Sequence, residues 1–209
     1  MGNSVSSGPS GSLLVVCTAN VCRSPLAEEI LADALPNASV SSAGVRALVD
    51  APMCPVSAEL LPDAAAHAHS ARQLTPELVA GADLVLAMER QQRSAVVRTL
   101  PGSQAKVFTL TEAAALLDGM IERGVEVPAD LVGLAAALHA TRGLAHPPQV
   151  EEPKRWWQRA RPPEDPLTIA DGHGLSDAEH RRAADRVAAA AQDIAGDLTG
   201  SQPASASRG

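Results

Sequence analysis

Short apolar runs alternate with amphipathic stretches along the first half of the chain. Residues Leu13 to Val16 form an unbroken apolar run, followed by a polar loop and by a helical pattern that begins at Pro25. This succession is typical of a buried strand followed by a helix. Three more runs indicate strands, and they lie at residues 38–42, 83–88 and 105–110.

Helical patterns separate the predicted strands, near residues 55–66, 76–80 and 90–99. The alternation predicts an α/β fold, a Rossmann-like four-stranded parallel sheet with helices on both faces. In such a sheet the ligand site lies at the carboxyl ends of the strands. Ser176 and Glu179 have capping-box spacing, which predicts a long closing helix up to residue 198.

The domain boundaries follow from composition. Residues 1–12 and 200–209 are rich in Gly, Ser and Pro, which predicts disordered tails around one domain at 13–199. Within that domain, residues at about 118–161 are predicted to be a partly helical insertion. Its helix is expected at residues 129–141, and a proline-rich stretch with Trp156 and Trp157 follows.

Charge and cysteine content restrict the function classes. The formal net charge of −7 disfavours a protein that binds nucleic acid through Lys and Arg. No apolar run reaches the roughly 18 residues of a membrane helix, so no membrane partner is expected. Three cysteines are too few for a disulfide scaffold, which predicts a reducing cytoplasm.

Candidate chemistry lies between the first predicted strand and helix, in the segment CTANVCRSP at residues 17–25. A loop at a helix N-terminus directs backbone N–H groups and the positive end of the helix dipole at one point, so it can bind an oxyanion and favour a thiolate. Cys17 is the predicted nucleophile, and Arg23 can offer phosphate two parallel hydrogen bonds. The other residues predicted to bind substrate are Thr18, Ala19, Asn20, Val21, Cys22 and Ser24.

The segment resembles the signature of the low molecular weight protein tyrosine phosphatases, Cys-x-Gly-Asn-x-Cys-Arg-Ser-Pro. Three further motifs stand in the family's order, SAG at 42–44, HSARQL at 69–74 and ADLVLAM at 82–88. The resemblance implies a phosphatase that hydrolyses phosphotyrosine-type monoesters through a phosphocysteine intermediate, with no metal and no cofactor. It also implies that Asn20, Ser42 and His69 support the phosphate loop from behind.

The resemblance further implies a general acid, the Asp of an Asp-Pro pair late in the chain. Asp165 and Pro166 form the one Asp-Pro pair in the sequence, and they precede the closing helix. Asp165 is therefore the predicted acid, which protonates the leaving oxygen.

Some positions depart from the family pattern or leave a role open. Ala19 stands where the family usually has glycine, and Leu167 follows the Asp-Pro pair where many members have an aromatic residue. Val21 favours phosphotyrosine, because the arginine phosphatases of the family carry threonine there. Cys22 is either a redox partner of the nucleophile or a small apolar side chain, and Cys54 is interpreted as structural.

Three other functions share this loop. They are a single-cysteine arsenate reductase, a protein-arginine phosphatase and a non-catalytic phosphate-binding module, the last disfavoured because nucleophile, arginine and acid are all present. The expected partner is a phosphorylated protein, which includes a tyrosine kinase as a candidate. The protein is expected in a bacterial cytoplasm, as a monomer or weak dimer.

Overall fold

A computed structural model describes residues 8–62, 68–142, 165–172 and 176–200. Its centre is one parallel sheet with the strand order β2-β1-β3-β4. The four strands are β1 (Gly11–Cys17), β2 (Ala38–Gly44), β3 (Leu84–Ala87) and β4 (Val107–Thr109). The sheet confirms the predicted fold class.

The helices described by the structure cover both faces of this sheet. They are α1 (Arg23–Ala34), α2 (Pro55–Ala58), α3 (Pro76–Gly81), α4 (Arg90–Thr99), α5 (Leu110–Glu122), α6 (Leu131–Thr141) and α7 (Asp177–Thr199). Helices α1, α5, α6 and α7 pack on one face, while α3 and α4 pack on the other. As predicted, Ser176 caps α7 in a capping box with Glu179. Among the described helices, none is long and apolar enough to cross a membrane.

Strand β1 is unbroken in its apolar character because it is buried on both sides. Leu13 and Val15 belong to the core beneath α1 and α7, whereas Leu14 and Val16 face the smaller core beneath α3 and α4. Cys17, the last residue of β1, is buried at the carboxyl end of the sheet.

The observed boundaries differ from the predicted ones at a few places. Strand β1 starts at Gly11, inside the segment predicted to be a tail. Strand β4 is shorter than predicted because residues Ser103–Lys106 form a 3-10 helix after Gly102, whose φ is 96°. The helix predicted near 55–66 ends at Ala58 as α2. Residues 1–7 and 201–209 of the predicted tails lie outside the described residues, as do residues 63–66 of that helix.

The predicted helix of the insertion is present as α6, which packs on the main core through Leu131, Leu134 and Leu138. The backbone of Ser10, just before β1, hydrogen-bonds with the backbone of Ala129 and of Leu131, where α6 starts. This part of the insertion therefore shares the core of the domain. Residues 143–164, which include Trp156 and Trp157, lie outside the described residues.

Candidate active site

The carbonyl oxygens of the loop from Cys17 to Cys22 all accept hydrogen bonds from residues outside the loop. Each of the six accepts a hydrogen bond, with the donors in order being the N–H of Val45, Arg46 and Leu48, the His69 Nε2–H, and the N–H of Cys54 and Leu26. Since N–H and C=O point in opposite directions across a trans peptide, carbonyls held outward leave N–H groups to point inward. Such a ring of N–H groups is an anion-binding shape.

The loop also sits tightly on the end of β2. A Cβ atom added at Gly44 would lie 2.7 Å from the Thr18 oxygen and 3.0 Å from the Ala19 carbonyl carbon. A larger residue at position 44 would therefore push the loop out of place. Ala19 itself costs no backbone strain, because the described non-glycine residues with positive φ are Asn20 and Asp50.

The sulfur of Cys17 receives two hydrogen bonds. The Asn20 N–H donates to Sγ at 3.2 Å, and the Ser24 hydroxyl lies 3.0 Å from it. Both groups are placed to stabilise a negative charge on this sulfur.

Asn20 is the buried centre of a hydrogen-bond network behind the loop. Its φ of 59° is in the left-handed region, which asparagine tolerates better than most residues. Its Nδ2 donates to Ser24 Oγ at 2.9 Å and to Ser42 Oγ at 2.7 Å, and its Oδ1 accepts from the Arg72 N–H at 2.8 Å. His69 donates from Nε2 to the Asn20 carbonyl at 2.7 Å. The structure thus places Asn20, Ser42 and His69 against the loop, and their supporting role stays a prediction.

Asn20→Ala is expected to lower the free energy of unfolding by about 1 to 3 kcal/mol, because buried partners lose their hydrogen bonds. It should also lower kcat, since the loop loses its fixed shape. Urea unfolding and steady-state kinetics measure the two effects. Gln91→Ala, at an exposed position of α4, is the control, expected within about 0.5 kcal/mol of the wild type. Equal stability of the two variants would contradict the bracing role.

Arg23 begins α1 beside the loop, and its guanidinium is held by three acceptors. Nη1 donates to Glu89 Oε1 at 2.5 Å and to the Ile169 carbonyl at 2.8 Å, while Nη2 pairs with Asp171 Oδ2 at 2.6 Å. Only 4% of the Arg23 side chain is exposed. A buried guanidinium fixed in this way can offer a planar fork to phosphate without further ordering.

Asp171 shares a pocket with the loop. The residues that line it are Cys17, Ala19, Val21, Cys22, Arg23 and Asp171. The segment before Asp171 is anchored, since Ile169 is fully buried and its N–H donates to the Met88 carbonyl at 2.9 Å. After it, Gly172 packs so closely on α7 that an added Cβ would lie 2.5 Å from the Cα of His180.

Asp165, the predicted acid, is not among the pocket-lining residues that the structure describes. Its Oδ2 accepts from Arg90 Nε at 2.5 Å, and its Oδ1 accepts from the Leu167 N–H at 3.0 Å. Partial burial raises the pKa of Asp165, but the Leu167 N–H and the Arg90 guanidinium outweigh it, so the net shift is downward. The role of Asp165 as the acid stays a prediction, and the structure places its carboxylate on Arg90, apart from the described lining of the pocket.

Comparison with known proteins adds to this geometry. The family model described as low molecular weight phosphotyrosine protein phosphatase matches residues 12–126. The chain belongs to this family. A curated relative, the low molecular weight protein-tyrosine-phosphatase Etp of Escherichia coli (strain K12), is 39% identical over 99 residues, which cover 46% of this chain and 67% of Etp. Family membership confirms the predicted class, a cysteine-dependent phosphatase.

Solved structures of other low molecular weight phosphatases share the fold. Vibrio vulnificus Wzb in complex with benzylphosphonate has a TM-score of 0.59 and 23% identity, and the match covers 90% of this chain and 99% of Wzb. The YwlE arginine phosphatase of Geobacillus stearothermophilus has a TM-score of 0.59 and 24% identity, and the match covers 92% of this chain and 95% of that one.

Several residues of this phosphatase site are missing from the sequence prediction. Arg72 lies within the HSARQL motif, in which the resemblance gives a role to His69 alone. Besides its N–H contact with Asn20, Arg72 donates from Nε to the Ser42 carbonyl. Glu89 follows the end of β3 by two positions, which the carboxyl-end rule for parallel sheets could have identified. Asp171 is not followed by proline. The sequence signal that could have identified it is its position five residues before Ser176, the N-cap of α7.

Proposed function

We propose that the protein hydrolyses phosphotyrosine in protein substrates, with Cys17 as nucleophile, Arg23 as phosphate ligand and Asp171 as general acid. The observation that carries this proposal is the meeting of all three residues in one pocket, with two hydrogen bonds to the Cys17 sulfur. Asp171 replaces Asp165 in the role predicted from the Asp-Pro pair.

The proposed reaction has two displacements at phosphorus. The Cys17 thiolate forms an S–P bond while the bond to the leaving oxygen breaks, and Asp171 gives its proton to that oxygen. Water then attacks the phosphocysteine, Asp171 takes up a proton from the water, and the S–P bond breaks to release inorganic phosphate. Arg23 and the loop N–H groups stabilise the charge on the equatorial oxygens in both steps.

Two exposed apolar residues near the loop favour an aryl substrate. Leu48 and Val49 are 54% and 57% exposed, and the Leu48 N–H donates to the Ala19 carbonyl at 3.0 Å. Apolar side chains beside the loop offer contact to an aromatic ring but no counter-charge to a guanidinium. Val21, which lines the pocket, is apolar as well.

The test compares four activities of the purified chain. A phosphotyrosine peptide is expected to be hydrolysed with kcat/KM higher by about tenfold or more than a phosphoarginine peptide of the same sequence. A generic aryl phosphate should also be hydrolysed, and arsenate should not be reduced with a small thiol. Faster hydrolysis of phosphoarginine, or arsenate reduction without aryl phosphatase activity, would refute the proposed substrate.

We propose a phosphorylated protein as the partner and a bacterial cytoplasm as the location. A phosphorylated protein, with a tyrosine kinase among the candidates, fits the curated relative, which is named a protein-tyrosine-phosphatase. None of the three cysteines is in a disulfide, which is compatible with a reducing bacterial cytoplasm. We keep the prediction of a monomer or weak dimer.

A further inference from the structure

Three potential metal ligands meet beside the phosphate loop. Cys22 closes the loop, Cys54 precedes α2, and His180 lies in the first turn of α7. Their two sulfur atoms and one ring nitrogen all lie within 4.8 Å of one another. Both cysteines are buried and His180 is half-buried. The cluster joins residues that are 126 positions apart in sequence.

The separation of Cys54 and His180 fits a tetrahedral ion. Cys54 Sγ lies 3.6 Å from His180 Nε2. With Zn–S of about 2.3 Å, Zn–N of about 2.05 Å and a tetrahedral angle, the two ligand atoms should be about 3.6 Å apart. Two sulfurs and an imidazole are also the ligand types that Zn²⁺ prefers among the divalent ions.

A neighbouring hydroxyl group supports one of these ligands. Zinc binds cysteine as the thiolate, so binding of the ion would release the thiol protons to water. Ser57 Oγ, 3.3 Å from Cys54 Sγ, is placed to orient this ligand.

We propose that Cys22, Cys54 and His180 form a binding site for one Zn²⁺ ion, with water in the fourth position. The bound ion would tie the end of the phosphate loop to the first turn of α7. That turn packs on Gly172, next to Asp171, so the ion would also hold the segment carrying the proposed acid. The binding site does not depend on the proposed phosphatase reaction.

The test is a Zn²⁺ titration of the reduced, chelator-treated full chain against a chromophoric competitor. We expect one equivalent bound by the wild type, and affinity lower by about 100-fold or more in Cys54→Ser and in His180→Ala. Co²⁺ should give thiolate-to-metal charge-transfer absorption in the wild type, and this absorption should weaken in Cys54→Ser. Thermal melting without metal shows that each variant is folded, and the two variants alter separate elements of the fold.

Two controls separate this site from others. His139→Ala removes an exposed histidine on α6 and should bind as the wild type does. Cys17→Ser should also keep one equivalent, because the catalytic thiol is not a ligand. The proposal is overturned if the wild type binds no ion, if either ligand variant keeps wild-type affinity, or if Cys17→Ser loses the ion.

Discussion

Cys17→Ser is expected to reduce aryl phosphate hydrolysis by at least about 10³-fold. A serine hydroxyl is not ionised at neutral pH, and an alkoxide leaves phosphorus far less readily than a thiolate does. The hydrogen bonds from Asn20 and Ser24 that stabilise a charged sulfur cannot substitute for this ionisation. Steady-state kinetics on one aryl phosphate measure the effect.

Cys17→Ser should still fold and still bind phosphate. The loop shape depends on the backbone and on Asn20, and the guanidinium of Arg23 is unchanged, so inorganic phosphate should bind with wild-type affinity in calorimetry. The melting temperature should also stay close to the wild-type value. Residual turnover above about one per cent would show that another residue is the nucleophile.

Asp171→Asn is expected to slow hydrolysis by about 10² to 10⁴-fold for substrates with poor leaving groups. The amide cannot donate a carboxylic proton to the departing oxygen. Good leaving groups need no proton, so the loss should shrink as the leaving-group pKa falls. A series of aryl phosphates of rising leaving-group pKa, assayed with wild type and variant, gives the two slopes to compare.

Asp165→Asn is the matched control for this experiment, because it makes the same chemical change in the same segment. Its exposed pair with Arg90 should matter little, as such pairs contribute about 0 to 1 kcal/mol. We expect the slope of Asp165→Asn to equal that of the wild type. A steeper slope for Asp165→Asn than for Asp171→Asn would return the role of acid to the Asp-Pro pair.

The sequence predicts the first half of this site well because that half is local. Residues 11–34 form a strand, a loop and a helix in direct succession, so one segment supplies both Cys17 and Arg23. The apolar run of β1 and the proline near the start of α1 indicate their own elements. No long-range contact is needed to place these two side chains on the same loop.

The proposed acid, Asp171, is a different case, because its position depends on contacts that no local pattern records. The Asp-Pro pair is a local signal, and it indicates Asp165. What brings Asp171 to Arg23 instead is the burial of Ile169 against Met88 and the packing of Gly172 on α7. Both are tertiary contacts. The first joins segments about 80 residues apart, and the second is a close approach of two backbone segments.

The cluster of Cys22, Cys54 and His180 could not be predicted from the sequence for the same reason. Cys54 stands in no motif, and its interpretation as structural follows from that isolation. It lies next to Cys22 because its N–H donates to the Val21 carbonyl at 2.6 Å and because both cysteines belong to one buried cluster, while His180 comes from the closing helix. Only the folded chain brings the three together.

The outward-held carbonyls of residues 17–22 have a consequence for transplanting this chemistry. Five of their six donors come from residues 45–69, and only one lies in α1. A synthetic peptide of residues 17–25 would contain the nucleophile and the arginine but not the partners that orient its peptide groups. In water such a peptide would spread over many conformers, and ordering each residue would cost about 1 to 2 kcal/mol. A portable unit of this chemistry must therefore contain at least the loop and the chain as far as His69, and also the later residues that hold Arg23, which are Glu89, Ile169 and Asp171.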